Sequence, residues 1–383
     1  MISALKNRLR RDAVNYKGFR TKRKIIVIES DDWGAIRMPN PDVYNYMLKQ
    51  GYSVDKCPYA RNDSLASEED LERLFDLLTT FRDKNGNHPV ITANCVTANP
   101  NFEKIKESDY QKYFWESITE TFKKYDAHEG SFELWKSGME QNIFFPQFHG
   151  REHVNWNYWK KELQKPDSDF RKVFDYGTWV TGKGARIGKI NPQAALDTET
   201  KQHFPFQTKY LQEGLDHFEK LFGYTSESYI ATNFIIHTDH FKILNEKGVK
   251  YIQGMKYQLS PILESKKRAM LRHSVGEKNK SNQLFLVRNC VFEPSQKADN
   301  FDNIGECLKD IQNAFYWRKP AIITAHRLNF IGYINPENRE RNLRMLSQLF
   351  VEIFRKWPDV EFMTSPRLGK LIESGRSCYD PTQ

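Results

Sequence analysis

The stretch "IIVIESDDWG" (25–34) decides the reading of this chain. Four β-favouring apolar residues run into two adjacent carboxylates, followed by Trp33 and Gly34. The apolar run predicts a buried strand, 24–30, whose C-terminal end carries Asp31 and Asp32. Adjacent strand residues face opposite sides, so both carboxylates reach one place only if the strand ends there. Two neighbouring anions are stabilised by a cation between them, or when one of them acts as a base. A hydrated surface turn is the plainer alternative for this stretch taken alone.

Further runs of the same kind predict strands at 89–95, 142–148, 228–232, 249–253, 283–289, 320–325 and 360–363. Helical patterns lie between them. The clearest is 67–86, with a capping box at Ser67 and Asp70 and a stop at Gly86. Another, 238–249, starts at a Thr238 cap and ends at Gly248, and 301–317 and 335–357 are long and amphipathic. Repeated strand–helix alternation implies parallel pairing through right-handed crossovers. Seven or eight such units predict an α/β fold, a distorted parallel (β/α)7-8 barrel, rather than an open sheet. The stretch 150–226 shows no strand and is read as a long insertion after the third strand, over one face of the barrel. The division is then a basic N-terminal arm (1–21), a single barrel (22–375) and a C-terminal tail (376–383).

Bulk properties narrow the class. The chain has 383 residues, 39% of them hydrophobic and 14% aromatic, enough for a large core. The net charge of +9 is spread along the chain apart from runs at 6–11 and 20–24. These read as a solvated arm, and a nucleic-acid partner is not expected. Five widely spaced cysteines without a CxxC pair argue against a disulfide framework or a Cys-based zinc site. No apolar stretch approaches 18 residues and the N-terminus has no signal-like apolar segment, so no membrane span and a cytoplasmic location are expected.

In a parallel barrel, chemistry sits at the C-terminal ends of the strands. After the third strand comes "FFPQFHGREHVN" (144–155), with His149 and His153 spaced i, i+4. On a helix that spacing puts both imidazoles on one face, within reach of one metal. With ten histidines in the chain the pair alone is a weak signal; its place after a strand strengthens it. His237 and His240 form a rival pair, read as solvated groups at a helix start. Late in the chain, "KPAIITAHRLNFIG" (319–332) is a buried strand ending in His326, where imidazole suits acid–base work near neutral pH.

Asp-Asp, His-x3-His and a late His, each at a strand end and in that chain order, resemble the polysaccharide deacetylase family (carbohydrate esterase family four, the NodB-homology domain). "EFMTSPRLGKLIE" (361–373) is similar to the family's closing strand and helix. The resemblance implies that Asp32, His149 and His153 hold a divalent metal, Zn2+ before Co2+ or Ni2+. It implies Asp31 as general base, His326 as general acid, and an N- or O-acetylated sugar or polysaccharide as the substrate of a hydrolase. Departures from the family pattern are also visible. Trp33 stands where a small residue is usual, either narrowing the pocket or stacking on a sugar. Gly150 replaces a Ser or Thr. Thr232-Asn233 stand where the family has the Arg that steadies the base, which leaves Arg151 or Arg327 to supply that charge. Thr324 replaces a Leu, implying a wider or more polar acyl pocket. Trp33, Arg151, Asn233 and Arg327 are thus the expected substrate-binding residues. A catalytically inactive carbohydrate-binding relative, and a two-His, one-carboxylate iron site, are the competing readings. Trp156 and Trp159 read as helix packing rather than sugar stacking. "TGKGARIGK" (181–189) lacks the P-loop ending and reads as a loop able to close on the site.

Overall fold

The stretch 25–33 lies at the centre of a curled, all-parallel sheet. The structure, a computed structural model, describes residues 2–182 and 186–375, without the side chains of residues 2–5. Its strands are β1 (Ile25–Trp33), β2 (Ile91–Val96), β3 (Ala98–Pro100), β4 (Trp115–Ser117), β5 (Phe144–Gly150), β6 (Ser228–Tyr229), β7 (Tyr251–Gly254), β8 (Tyr257–Pro261), β9 (Arg268–Arg272), β10 (Leu284–Val287), β11 (Cys290–Val291), β12 (Ala321–His326) and β13 (Glu361–Phe362). The main sheet has the order β10-β7-β6-β5-β2-β1-β12-β11, with β13 beside the first residues of β1. Strands β3–β4 and β8–β9 form separate antiparallel hairpins. The expected distorted (β/α)7-8 barrel is the fold observed.

The two edge strands are successive pieces of one run of chain, 284–291. The Arg288 amide bonds to the Gly254 carbonyl on one side, and the Asn289 amide bonds to the Ile322 carbonyl on the other. The curled sheet is therefore joined edge to edge through Arg288 and Asn289. The Asn289 side chain extends the join, accepting from the Ile322 amide and donating to the Pro320 carbonyl.

Outward residues of the strands meet the crossover helices in one large apolar core that includes Ile26, Ile28, Phe144, Phe148 and Ile323. Toward the C-terminal ends of the strands the inward positions are polar. Period-two alternation puts Glu29 and Asp31 of β1, Asn94 of β2 and Gln147 of β5 inside, joined by Gln253, Ser228 and Arg288. A buried polar group is stable only when paired. Asn94 bridges Asp31 to Gln253, Gln253 donates to Ser228, and Ser228 donates to Gln147.

Several expectations change in detail. The helix at 67–86 is Glu68–Thr79; its capping box forms as expected, but Gly86 lies in a separate turn, where its amide donates to the Asp83 carbonyl. Helix His240–Glu246 starts after Asp239 with no side-chain cap at Thr238. Within the stretch 150–226, helix Phe204–Phe222 packs on β5, where Gly214 lets Phe148 approach closely. The remainder joins segments 38–60 and 102–114 in a second apolar core over the C-terminal ends of the strands, and Trp156 and Trp159 are buried in it. The N-terminal stretch, expected as a solvated arm, forms helix Ile2–Asn15 against helix Asn303–Tyr316, with Arg11 bonded to Glu306 and Asp310. Among the described residues the cysteines are free and no helix is long and apolar enough to cross a membrane. The tail 376–383 and part of the 181–189 loop lie outside the described residues.

Candidate active site

Strand β1 pairs in register with β12 as far as Asp31 opposite His326, while its pairing to β2 slips between Ser30 and Trp33. At the slip Asp32 takes a left-handed conformation, φ +75°. Asp is among the few non-Gly residues that adopt it readily. The twist brings both carboxylates into one site, which regular alternation would forbid. It also sends Trp33 outward. That side chain is fully buried against Phe144 and Trp135, ring centroids 4.9 and 6.3 Å away, and its Nε1 donates to Ser30 Oγ at 2.9 Å. Trp33 is therefore a core residue and not a wall for a sugar.

Asp32, His149 and His153 each offer one ligand atom, all within 4.8 Å of one another, and all three are buried. Asp32 Oδ1 lies 3.3 Å from His149 Nε2 and 3.1 Å from His153 Nε2. The His pair is not helical, contrary to the reading of its spacing. His149 ends β5, and Gly150 turns the chain with φ +127°, bringing the imidazole of His153 to 5.2 Å from that of His149. Only glycine fits there, because a Cβ on Gly150 would lie 2.0 Å from Tyr210 Oη. The Tyr210 hydroxyl donates to the Glu152 carbonyl at 2.8 Å and fixes the turn. The Ser or Thr absent at this position is thus excluded by a tyrosine from helix Phe204–Phe222.

The donor set fits a divalent cation. His149 Nδ1–H donates to the Ile230 carbonyl at 2.9 Å, which leaves Nε2 free to coordinate. Burial depresses the His153 imidazole against the pull of Asp32, favouring the neutral form a ligand needs. Burial alone would raise Asp32; the Arg37 guanidinium, 3.1 Å away, and His153 outweigh it and hold the carboxylate well below its ordinary range. Two imidazole nitrogens and one carboxylate oxygen leave coordination positions for water and substrate.

Beside this group stands an acid–base pair. Arg288, from the join of the sheet, grips both oxygens of Asp31 at 2.6 and 2.7 Å and bonds Glu29 at 2.6 Å. Burial would raise Asp31, but Arg288 outweighs it and keeps that carboxylate below its ordinary range. His326 Nε2 lies 3.7 Å from Asp31 Oδ2, and its Nδ1 donates to Glu293 at 2.5 Å. Burial would lower His326; Glu293, with Asp31 and Asp32, overcomes this and raises it to about 9. At neutral pH the pair is therefore an anion facing an imidazolium.

Sequence reasoning missed Arg288, Glu293 and Arg37. The signal for Arg288 was available: a lone Arg ends the apolar run 284–287, a charge at a strand end like those of Asp31 and His326. The arginines expected in its place are engaged elsewhere. Arg151 is buried between Glu152 and Glu213, and Arg327 pairs with Asp63. Thr324 Oγ1 accepts from Arg288 at 2.9 Å, beside Asp31. Asn233 is exposed and lines a separate groove, with Asn191, Asp197 and Arg268. His240 is buried and bonded to Gln207, so the rival pair at 237–240 is a packing feature rather than a solvated helix start.

No family model and no curated protein matches the chain at the level of sequence. Solved structures do. An inferred glycoside hydrolase/deacetylase from Parabacteroides distasonis superposes with a TM-score of 0.51 at 9% identity, covering 93% of this chain and 73% of that one. An inferred polysaccharide deacetylase from Mycobacterium smegmatis gives 0.45 at 11% identity over 96% and 98% of the two chains. An allantoinase gives 0.48 at 10% identity over 94% and 93%. The fold of the Parabacteroides distasonis structure is thus shared by nearly the whole chain.

Proposed function

We propose that the protein is a metal-dependent hydrolase that removes an acyl group, an N- or O-linked acetyl, from a sugar or polysaccharide. The observation that carries this reading is the joint placement of a three-residue metal group and a precharged Asp31–His326 pair at one end of the barrel. A divalent cation held by Asp32, His149 and His153, zinc before cobalt or nickel, would supply Lewis-acid polarisation of the acyl carbonyl and acidify a water.

The chain's own residues do the rest. Asp31 stays ionised through the neutral range and accepts the proton of the attacking water. Arg288 holds that carboxylate by both oxygens, so the base is oriented before substrate arrives. His326 enters protonated and delivers its proton to the departing nitrogen or oxygen. Glu293 keeps it charged and sets the ring with Nε2 toward Asp31. The inactive-relative reading rested on a missing arginine and on Gly150 in place of a Ser or Thr; the hold of Arg288 on Asp31 speaks against the first of these.

The test has two parts. Purified protein reconstituted with zinc, cobalt or nickel should hold about one equivalent of metal by mass spectrometry, lost in His149→Ala. Asp31→Asn should keep the metal and release no acetate from acetylated saccharides that the wild type cleaves. Absence of bound metal under all three reconstitutions would overturn the mechanism.

A further inference from the structure

A basic groove of about 640 Å3 is walled by Arg186, Lys189, Lys266 and Arg268 with Asn191 and Asn233. Its place is set by two short paths. Gln193 accepts from Arg37, which touches Asp32, and Asn191 is two residues before Gln193. The Ile230 carbonyl accepts from His149, and Asn233 is three residues after Ile230. The groove therefore begins within a few residues of atoms that contact the metal-binding group.

It is a built feature rather than a chance patch. Lys189 sits on a tight turn closed by two bonds between Ile187 and Ile190, whose side chains are buried in the cap core. Asn233 and Phe234 both take left-handed conformations, φ +55° and +58°. Each such residue costs on the order of 1–3 kcal/mol and persists where surrounding structure enforces it. Here Thr232 Oγ1 accepts from the Ala195 amide, and Ile235 is bridged to Leu259. The exposed amide of Asn233 is thus held at the groove wall.

Charge is left over. The one carboxylate lining the groove, Asp197, is taken by Arg268 Nε at 2.5 Å. Nearby Glu264 is turned to Thr200 and the Lys201 amide. Among the described residues, no carboxylate pairs with Arg186, Lys189 or Lys266, and Arg268 Nη2 is buried without a hydrogen-bond partner. Like charges converging without a counter-ion repel, and an orphan guanidinium nitrogen costs about 1–3 kcal/mol. A carboxylate, sulfate or phosphate in the groove would relieve both.

We infer that this groove binds the anionic substituent of a charged saccharide, so that the substrate is an acylated, negatively charged sugar chain whose acyl group reaches the metal centre. The word substrate rests on the hydrolase reading; the groove's preference for an anionic saccharide does not. Two asparagine amides beside the cations suit sugar hydroxyls, which favours a saccharide over a bare polyanion.

The experiment is titration calorimetry on the full-length, zinc-reconstituted protein with four probes. These are a hyaluronan hexasaccharide, a 6-O-sulfated N-acetylchitohexaose, neutral N-acetylchitohexaose, and a hexameric oligodeoxythymidylate. At least one of the two anionic sugars should bind ten-fold or more tighter than the neutral one. That preference should vanish in the exposed-site double variant Arg186→Glu, Lys266→Glu, and should shrink in the wild type as salt is raised. The carboxylate and sulfate probes separate the two sources of charge. Equal binding of the charged and neutral sugars, or a preference untouched by the double variant, would overturn the inference. So would an oligodeoxythymidylate that binds as tightly as the better sugar. Acetate release is followed in parallel. Anionic preference without acetate from any sugar leaves the groove standing and removes the hydrolase; acetate released equally from charged and neutral sugars does the reverse. Thermal melting of the double variant checks its fold. Should that variant fail to fold, a wild-type preference that does not shrink with salt overturns the inference by itself.

Discussion

The centre of the candidate site is a network of buried charges in which each arginine is shared between carboxylates. Glu29 and Asp31 share Arg288, while Asp32 and Asp63 share Arg37. Removing one partner of such a set leaves an uncompensated buried charge, typically worth about 3–5 kcal/mol. Arg288→Met should lose that much stability at pH 7 in urea melts. The two stranded carboxylates would then have raised folded-state pKa values. A raised value favours the folded state at low pH and loses that support as pH climbs, so the deficit against wild type should shrink as pH falls toward 4. The same logic governs His326. It is raised to about 9, so it is charged below that pH and its acid form is lost above it. The alkaline limb of kcat/KM should follow this loss. Glu293→Gln removes a charged hydrogen bond of about 1.5–3 kcal/mol, which corresponds to roughly one to two pH units. The limb should move toward neutral pH by that amount relative to wild type, whatever the bound cation contributes to both. An unmoved limb would remove His326 from the acid role.

At the scale of elements, two backbone irregularities make the site. One is the left-handed Asp32 at the end of β1; the other is the turn at Gly150 after β5. Gly150→Ala meets both a forbidden backbone angle and the Tyr210 hydroxyl, so it should destabilise by about 3 kcal/mol or more and weaken metal retention. In a Tyr210→Phe background the steric part is relieved and the conformational part remains. The penalty should therefore fall but not vanish, as denaturant melts of the four-member cycle would read. The strand and helix pattern was legible because the apolar runs are long and the capping box at Ser67 is complete. The two irregularities were not, because left-handed angles at Asp and Gly follow from what packs against them. An i, i+4 spacing of histidines therefore suggested a helix where the chain makes a turn.

At the scale of the whole molecule, the N-terminal helix is part of the folded body. Lys319 is buried and its ammonium donates to the carbonyls of Lys17, Gly18 and Phe19, while Lys256 donates to that of Ala13. Asp12 accepts from Trp317 and Asn313. Deleting residues 1–19 would leave a buried ammonium without acceptors. The truncated protein should melt well below wild type while still binding one equivalent of metal, since none of these contacts reaches the metal group. Loss of the metal along with the helix would show instead that the two regions are coupled.

What the sequence by itself determined is the alternation of strands and helices, the barrel it implies, and the ligand and acid–base candidates Asp31, Asp32, His149, His153 and His326. These follow from local pattern, because apolar periodicity and strand-end position are written in neighbouring residues. Only the tertiary structure decided which cations serve them. Arg288 reaches Asp31 across 257 positions of chain, and Glu293 meets His326 across 33. Arg151, two positions from His149, turns away to Glu152 and Glu213. A buried charge takes the counter-charge that the fold brings within hydrogen-bonding distance, and in a closed sheet that distance is set by strand register rather than by separation along the chain.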